Sequence, residues 1–500
     1  MFHLYRGKYT ITLLMADKTP GFIGSFKGRP CLAAAAVFLL LAPARAAQSS
    51  GLKTAAPMAE LWLTKADGSV LFQKQPDPPA FAVPENAALP AINIDPGTAY
   101  QEIDGFGCAL TGGSAELIQS LPAAAGDALL HELFATDGGA IGLSYLRVSV
   151  GASDLDGKTF SYDDLSAGKP DPELAGFGID PDKKALIPVL KRILAIQPGL
   201  SVLASPWSAP PWMKTNGNFK GGSLKPEYYD AYARYLAKYI NAMRAEGINI
   251  AALTIQNEPL NPDNNPSMFM PAETQALFIK KYLGPLFEKE GIKTKIVVYD
   301  HNCDRPEYPL SILADKEAAR YVDGSAFHKY AGELTALSEV HNAFPGKNVY
   351  FTEQWVGGPS KFAEDFQWHL GSLLIGAVRN WSRIVLEWNL ASDPVYGPHT
   401  EGGCVNCQGA LTIGKDVKRD VAYYVLAHAA KFVRPGSVRI GSNLLPSLPN
   451  AAFRTPSGAV VLIVLNEAAA PTAFGISING KTAETTLPGE SAGTYVLEGL

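Results

Sequence analysis

Two glutamates, Glu258 and Glu353, each terminate a short apolar run: Ala-Ala-Leu-Thr-Ile-Gln-Asn-Glu-Pro over 251–259 and Asn-Val-Tyr-Phe-Thr-Glu-Gln-Trp over 348–355. Both runs predict short buried strands that end in a carboxyl group. Two carboxyl groups facing each other across a cleft can split an acetal in two steps, one protonating the departing oxygen while the other attacks the sugar carbon. A single strand-end glutamate says little. Two, in a chain whose strand ends are also rich in aromatics, point to glycosidic chemistry, which requires neither a metal nor an organic cofactor. The alternative of another class is a secreted, non-catalytic glycan-binding protein, and the two filled carboxyl positions count against it.

The elements that must position this pair form a regular series. Eight candidate strands, at 103–110, 143–149, 200–206, 249–257, 295–300, 322–328, 347–352 and 383–389, alternate with helices. In 226–246, Tyr228, Tyr232, Tyr235, Leu236, Tyr239, Ile240 and Met243 share one 3.6-period face, and Gly247 closes the helix. Segment 272–290 repeats the pattern with Leu277, Phe278, Leu283, Leu286 and Phe287 before Gly291. Strands alternating with helices imply a parallel sheet, and eight such units imply an α/β fold of the (β/α)8 TIM-barrel type over 101–434. From 435 to 500 the helices stop. Val460–Asn466 and the turn Asn479-Gly480 mark an all-β region. With the hairpin signals of 60–100 it predicts one small sandwich built from both chain ends.

Catalytic groups of such a barrel project from the carboxyl ends of its strands. Glu258 falls there on the fourth strand and Glu353 on the seventh. The same face receives Arg147 and Asp154 from strand two, Trp207 from strand three and Asn257 before the first glutamate. His328 and Tyr330 come from strand six, Trp388 and Asn389 from strand eight. Each alone reads as a rim residue; together they outline a site.

A net charge of −5 gives no electrostatic reason to expect a nucleic-acid partner. Residues 1–46 read as a signal peptide: Lys27 and Arg29, an apolar run from Leu32 to Ala42, and Pro43-Ala44-Arg45-Ala46 as an Ala-x-Ala cleavage site. Residues 47–59 read as a flexible leader. No later stretch reaches the roughly 18 apolar residues of a membrane span, so the mature chain is expected to carry no integral membrane segment and to act in the periplasm or outside the cell. Export leaves four cysteines, Cys108, Cys303, Cys404 and Cys407. In an oxidising compartment Cys404-Val-Asn-Cys407 is most simply a local disulfide. Zinc is the rival, but its four ligands would have to converge from three distant segments, only one of them with CxxC spacing.

From about 60 to 500 the sequence resembles glycoside hydrolase family 30, which includes glucosylceramidases. The resemblance rests on Gly105-Phe106-Gly107, Arg147-Val148 through Asp154, Ala204-Ser205-Pro206-Trp207-Ser208, Trp212-Met213-Lys214-Thr215-Asn216-Gly217, Gln256-Asn257-Glu258-Pro259, Thr352-Glu353 and Glu387-Trp388-Asn389-Leu390. It implies that Glu258 is the acid/base and Glu353 the nucleophile. Arg147 and Tyr330 would keep Glu353 ionised, and Asp154, Trp207, Asn257 and Trp388 would grip the sugar. Glu258, needing a proton at the start, should have its pKa raised by partial burial. The implied substrate is a carbohydrate or glycolipid β-glucoside, glucosylceramide first and β-1,6-glucan as the alternative. The segments 264–270 and 398–407 differ from the animal lysosomal pattern, and both are loops that shape the leaving-group side.

Overall fold

The computed structural model describes residues 58–83, 89–165 and 169–499. The expected signal peptide lies outside the described residues, as does most of the leader. Eight parallel strands close into a barrel: β1 (Gly105–Ala109), β2 (Tyr145–Val150), β3 (Ser201–Pro206), β4 (Ala252–Thr254), β5 (Lys295–Cys303), β6 (Val322–Gly332), β7 (Asn348–Glu353) and β8 (Ser382–Asn389). Each coincides with one of the eight candidate runs. The barrel interior is filled by one buried layer drawn from seven strands, including Tyr145, Leu203, Val297, Ala326, Tyr350 and Leu386. Such a layer makes a packed core and leaves the carboxyl-end rim as the place for a pocket. Gly107 is demanded by close approach: a Cβ there would fall 1.8 Å from the Tyr145 carbonyl on β2. Among the described residues no helix is long and apolar enough to cross a membrane.

The helix Tyr229–Ala245 buries Tyr232, Tyr235, Leu236, Tyr239, Ile240 and Met243 as its periodicity demands, while Tyr228 sits at its cap, half-buried. The next helix departs from a single 3.6 period. Ala272–Phe278 and Gly284–Glu290 are joined by a π-turn, Ile279–Leu283. Pro285 has no N–H to give the Lys281 carbonyl, so the turn widens by a residue and the buried face shifts. Leu277, expected inside, is 39% exposed as a result.

The second sheet system draws on both chain ends. Met58–Lys65 pairs antiparallel with Ser491–Glu498 over eight residues, from Met58↔Glu498 to Lys65↔Ser491. Ala91–Ile103 pairs with Ser437–Ser442 on one side and Thr472–Ile478 on the other, linking the two parts of the sandwich. Asn479 and Gly480, both at positive φ, turn Thr472–Ile478 into Lys481–Leu487 as a tight hairpin. The hairpin partner of Met58–Lys65 is only Gln73–Lys74.

Barrel and sandwich meet around His428, on the barrel's last helix, Val421–Ala430. Its two ring nitrogens lie 2.8 Å from the hydroxyls of Thr64 and Thr494, on the first and last strands of the sandwich. Burial drives this imidazole down to about 3, so it is neutral in the fold and takes up a proton when released. The sign follows directly. The contribution to stability is intact above the unfolded value near 6.5 and is lost as pH falls toward about 3. His428→Gln should therefore remove one proton's worth of acid sensitivity, about 1.4 kcal/mol per pH unit below ~6. Urea titrations from pH 7 to 4 check this, and parallel slopes in the two forms would show that His428 does not titrate on unfolding.

Candidate active site

Arg147, on β2 and with no exposed surface, organises the carboxyl end of the barrel. Its Nη1 donates to Glu353 Oε2 at 2.5 Å, and its Nη2 donates to Asp300 Oδ2 at 2.8 Å and Asn257 Oδ1 at 2.6 Å. The guanidinium lies 4.7 Å from the Trp207 ring centroid and 5.7 Å from that of Trp388. The two indoles stack at 5.3 Å. Tyr330, its ring 38% exposed at the mouth, turns its hydroxyl inward to donate to Glu353 Oε1 at 2.9 Å.

Glu258 follows β4 at φ 45°, a conformation that costs a residue with a Cβ about 1 kcal/mol or more. Its own N–H holds it there by donating to the Asp300 carbonyl at 2.9 Å, and Asn257 N–H donates to the Pro206 carbonyl at 2.8 Å. The Glu258 side chain meets His328 Nδ1 at 3.2 Å through Oε1 and accepts from Asn261 Nδ2 at 2.8 Å through Oε2. His328 Nδ1 is also 3.6 Å from Glu353 Oε1, and its Nε2 is 3.2 Å from Asp300 Oδ1. One oxygen of each glutamate and a nitrogen of His328 all lie within 4.8 Å of one another. Oxygens this close fit paired carboxyls that act with a covalent intermediate better than the wider pairing that leaves room for a water between them.

The charges compete. Glu258, Glu353 and Asp300 share two cations, Arg147 and His328. Burial alone would raise Asp300, yet Arg147 and His328 hold it well below the usual carboxylate range. Burial also raises Glu258, but the hydrogen bond and charge of His328, with His301 and the Asn261 amide, outweigh it and bring Glu258 down to about 2. The expectation that Glu258 would be raised is thus corrected: burial is the largest single influence, but His328, His301 and Asn261 together outweigh it. Glu353 is the carboxyl pushed upward, by burial and by the charges of Glu258 and Asp300, against His328 and Arg147. Burial lowers His328, but Glu353, Asp300 and Glu258 together raise it to about 9. Asp154 is raised to about 7 by burial and by Glu353. Among the described residues, Glu258, His328 and Glu353 are the one group of donors close enough to hold a metal ion.

The pocket over this pair measures about 300 Å³ and is lined by Asp154, Trp207, Trp355, Trp388, Cys404 and Cys407. Asn261, Asn264, Asn302 and Tyr330 complete the lining, Asn261 bonded to Glu258 and Tyr330 to Glu353. A larger depression of about 450 Å³ at the amino ends of β5 and β6, beside Lys295, Arg320 and Asp323, contains none of these groups. The structure gathers Arg147, Asp154, Trp207, Asn257, Glu258, His328, Tyr330, Glu353 and Trp388 at one place. Asn389 turns away, its Oδ1 accepting from Ser114 and Thr111. Cys404 and Cys407 are disulfide-bonded to each other, while Cys108 and Cys303 are buried thiols.

Sequence reasoning passed over Asp300, which accepts from Ser205, Thr254 and Thr352 as well as Arg147. Its position as the last residue of the fifth candidate strand was the available signal. Tyr299 and Asp300 both take positive φ, and the β5–β6 register slips there, aiming Asp300 into the barrel. Lys214 was also passed over. It is fully buried and donates to Ser208 Oγ, the Phe219 carbonyl and the Ser267 carbonyl, fastening the loop after β3 to the loop after β4.

Comparison with known proteins agrees with this geometry. Residues 103–433 match the Glycosyl hydrolase family 30 TIM-barrel domain, and residues 436–495 match the family 30 beta sandwich domain. An endo-1,6-beta-D-glucanase of Aspergillus fumigatus is 34% identical over 426 residues, 79% of this chain and 85% of the relative. The lysosomal acid glucosylceramidase of Mus musculus is 30% identical over 437 residues, 81% of this chain and 83% of the relative. The solved structure of the endo-beta1,6-glucanase BT3312 superposes with a TM-score of 0.82 at 31% identity, covering 88% of this chain and 99% of that one.

The network generates a test at Asp300. Asp300→Asn removes one of the anions that raise His328, so the imidazole midpoint should drop from about 9 toward its ordinary 6.5. Turnover should fall about 10²-fold as Arg147 and His328 lose their common anchor. Histidine NMR on the folded variant reads the midpoint, and an unmoved one would show that Asp300 does not set the charge of His328.

Proposed function

Because the chain belongs to glycoside hydrolase family 30 and is a glycoside hydrolase, we propose that it cleaves β-1,6-linked glucan internally by a retaining double displacement. The observation that carries this reading is the pair Glu258 and Glu353, oxygens within 4.8 Å, at the floor of a tryptophan-walled pocket. Glu353 attacks the anomeric carbon as Glu258 gives a proton to the departing oxygen. A glycosyl ester forms on Glu353 while the bond to the leaving sugar breaks. Water, deprotonated by Glu258, then displaces the ester and restores both groups. The proton Glu258 needs is one hydrogen bond away, on His328 Nδ1. Its transfer to Glu258 neutralises both partners and leaves Arg147 and Tyr330 to hold Glu353 as the attacking carboxylate. Asn257, its Oδ1 occupied by Arg147, can donate from Nδ2 to the sugar 2-hydroxyl.

The leaving-group side favours a sugar over a lipid. Asn261, Asn264 and Asn302 near Glu258 supply amides suited to hydroxyl groups rather than an apolar groove for acyl chains. The relatives at 34–36% identity carry the name endo-1,6-β-D-glucanase, whereas those called glucosylceramidases stand at 28–30%. Glucosylceramide hydrolysis is the second reading, kept by that latter resemblance. The export pattern of residues 1–46 supports action outside the cytoplasm.

Purified enzyme should release glucose oligomers from β-1,6-glucan, with the β-anomer first by early-time NMR. Glu353→Gln should keep the fold and lose about 10³-fold or more in turnover. Faster cleavage of glucosylceramide under the same conditions would transfer the reading to the lipid. A first-formed α-anomer would overturn the double displacement, and labelling of Glu258 rather than Glu353 by a fluoro-glycoside would exchange their roles.

A further inference from the structure

The segment between Ser392 and Cys407 leaves β8 and arches over the carboxyl face of the barrel. It touches three other loops there. Thr400 donates through N–H to the Asp154 carbonyl at 2.9 Å and through Oγ1 to the Asn265 carbonyl at 2.5 Å. Asn265 Nδ2 returns a bond to the Glu401 carbonyl at 2.8 Å. On the far side Gly358 N–H donates to the Asn406 carbonyl at 2.8 Å, and Cys407 pairs with Gly357 in a short antiparallel bridge just beyond Glu353. The arch therefore joins the loop bearing Asp154, the loop behind the acid/base and the loop behind the second glutamate.

Its point of closest approach to the sugar pocket is the Cys404–Cys407 bridge. Cys407 is buried with Trp207, Trp388 and Leu155, and both sulfur-bearing residues line the pocket. Cys404 N–H faces Asp154 Oδ2 at 3.4 Å. Gly403 lies so near that a Cβ there would stand 2.5 Å from the Asp154 carbonyl. Val405, between the two cysteines, is 62% exposed, so the ring is not held down by its own apolar side chains. A ring this short removes little entropy from the unfolded chain, so general stability is a poor account of it.

We propose that the Cys404–Cys407 bridge is a positioning element of the sugar pocket, fixing the Asp154 carboxylate and the wall beside Trp388, so that affinity for the sugar depends on it and bond cleavage does not. Resting on the function proposed above, it adds a covalently braced wall to the sugar-binding side. Without the bridge, residues 404–407 keep the weak N–H contact to Asp154, the Gly358–Asn406 bond and the pairing at Gly357, none of which fixes Cys404 against Cys407. The donor to the carboxylate and the packed surface under the sugar are then held less firmly.

The test is the double variant Cys404→Ser/Cys407→Ser, assayed on an aryl β-glucoside, whose small leaving group reports on the sugar pocket alone. Calorimetric binding of a glucose-shaped iminosugar runs alongside, because binding needs no turnover. KM and the iminosugar Kd should both rise about three- to tenfold, the loss expected for one modest hydrogen bond and its packing, with kcat within about twofold. The melting temperature should move by a few degrees at most, given so short a ring. In an Asp154→Asn background the same serine pair should change Kd less than it does in the wild type, because part of the effect passes through Asp154 and only the packed wall is left to lose. An unchanged Kd overturns the proposal, as does a fall in kcat and melting temperature at constant KM, which would mark the bridge as merely structural. A full rise in Kd that persists in Asp154→Asn also overturns it. A wild-type protein that binds the iminosugar but hydrolyses no β-glucoside would sink the proposed function and leave the bridge to be judged on Kd. One that does neither sinks both.

Discussion

A guanidinium with no access to water cannot be left unmatched, since an uncompensated buried charge costs several kcal/mol. Arg147 meets that demand from six of the eight barrel strands or the loops just beyond them. β2 supplies the arginine itself, β5 and β7 its carboxylates, and the residue after β4 its amide; the flanking indoles stand at the ends of β3 and β8. None of these contacts is local in sequence, so they form together only when the barrel closes in one register. The same interaction that stabilises the buried charge therefore fixes where Glu353, Asp300 and Asn257 point. Trp207 and Trp388 serve two purposes: they shield the guanidinium from solvent and present the pocket with a flat wall.

The charge balance explains why neither glutamate can be understood alone. Three carboxyls face two cations, and Asp300, with several donors turned on it, keeps its negative charge most firmly. The remaining proton is left among Glu258, Glu353 and His328, groups close enough for it to pass between neighbours without crossing solvent. A site poised in this way titrates as a unit, and its protonation pattern belongs to the cluster rather than to any one member.

Much of this arrangement was legible in the sequence because it follows from periodicity. Eight apolar runs at βα spacing give eight strands, and residues at their carboxyl ends share a face whatever the details of packing. Glu258, Glu353, Arg147, His328 and Trp388 were placed in that way, and the CxxC spacing indicated its own partner. What escaped depends on geometry that no periodicity encodes. Asp300 enters the barrel only because two successive residues adopt left-handed backbone. Asn261 and Trp355 reach the pocket from loops whose course is set by distant contacts, and Asn302 from the part of β5 beyond its candidate run, which stopped at 300. Leu277 was assigned to the wrong face because Pro285 widens the helix one turn further on. The direction of the Glu258 shift was missed because it depends on a histidine 70 positions away.

The pairing of Met58–Lys65 with Ser491–Glu498 has a consequence for how the molecule comes into being. A strand made among the first residues must wait for one made last, and the closing contact spans more than 400 residues. His428 waits as well, for its two threonines lie on those same strands. During synthesis the barrel helices can begin to form, but the seam that locks barrel to sandwich stays open until Ser491–Glu498 has left the ribosome. The nascent chain is thereby kept from completing its fold prematurely. It remains unlocked for as long as its last sandwich strand is unmade.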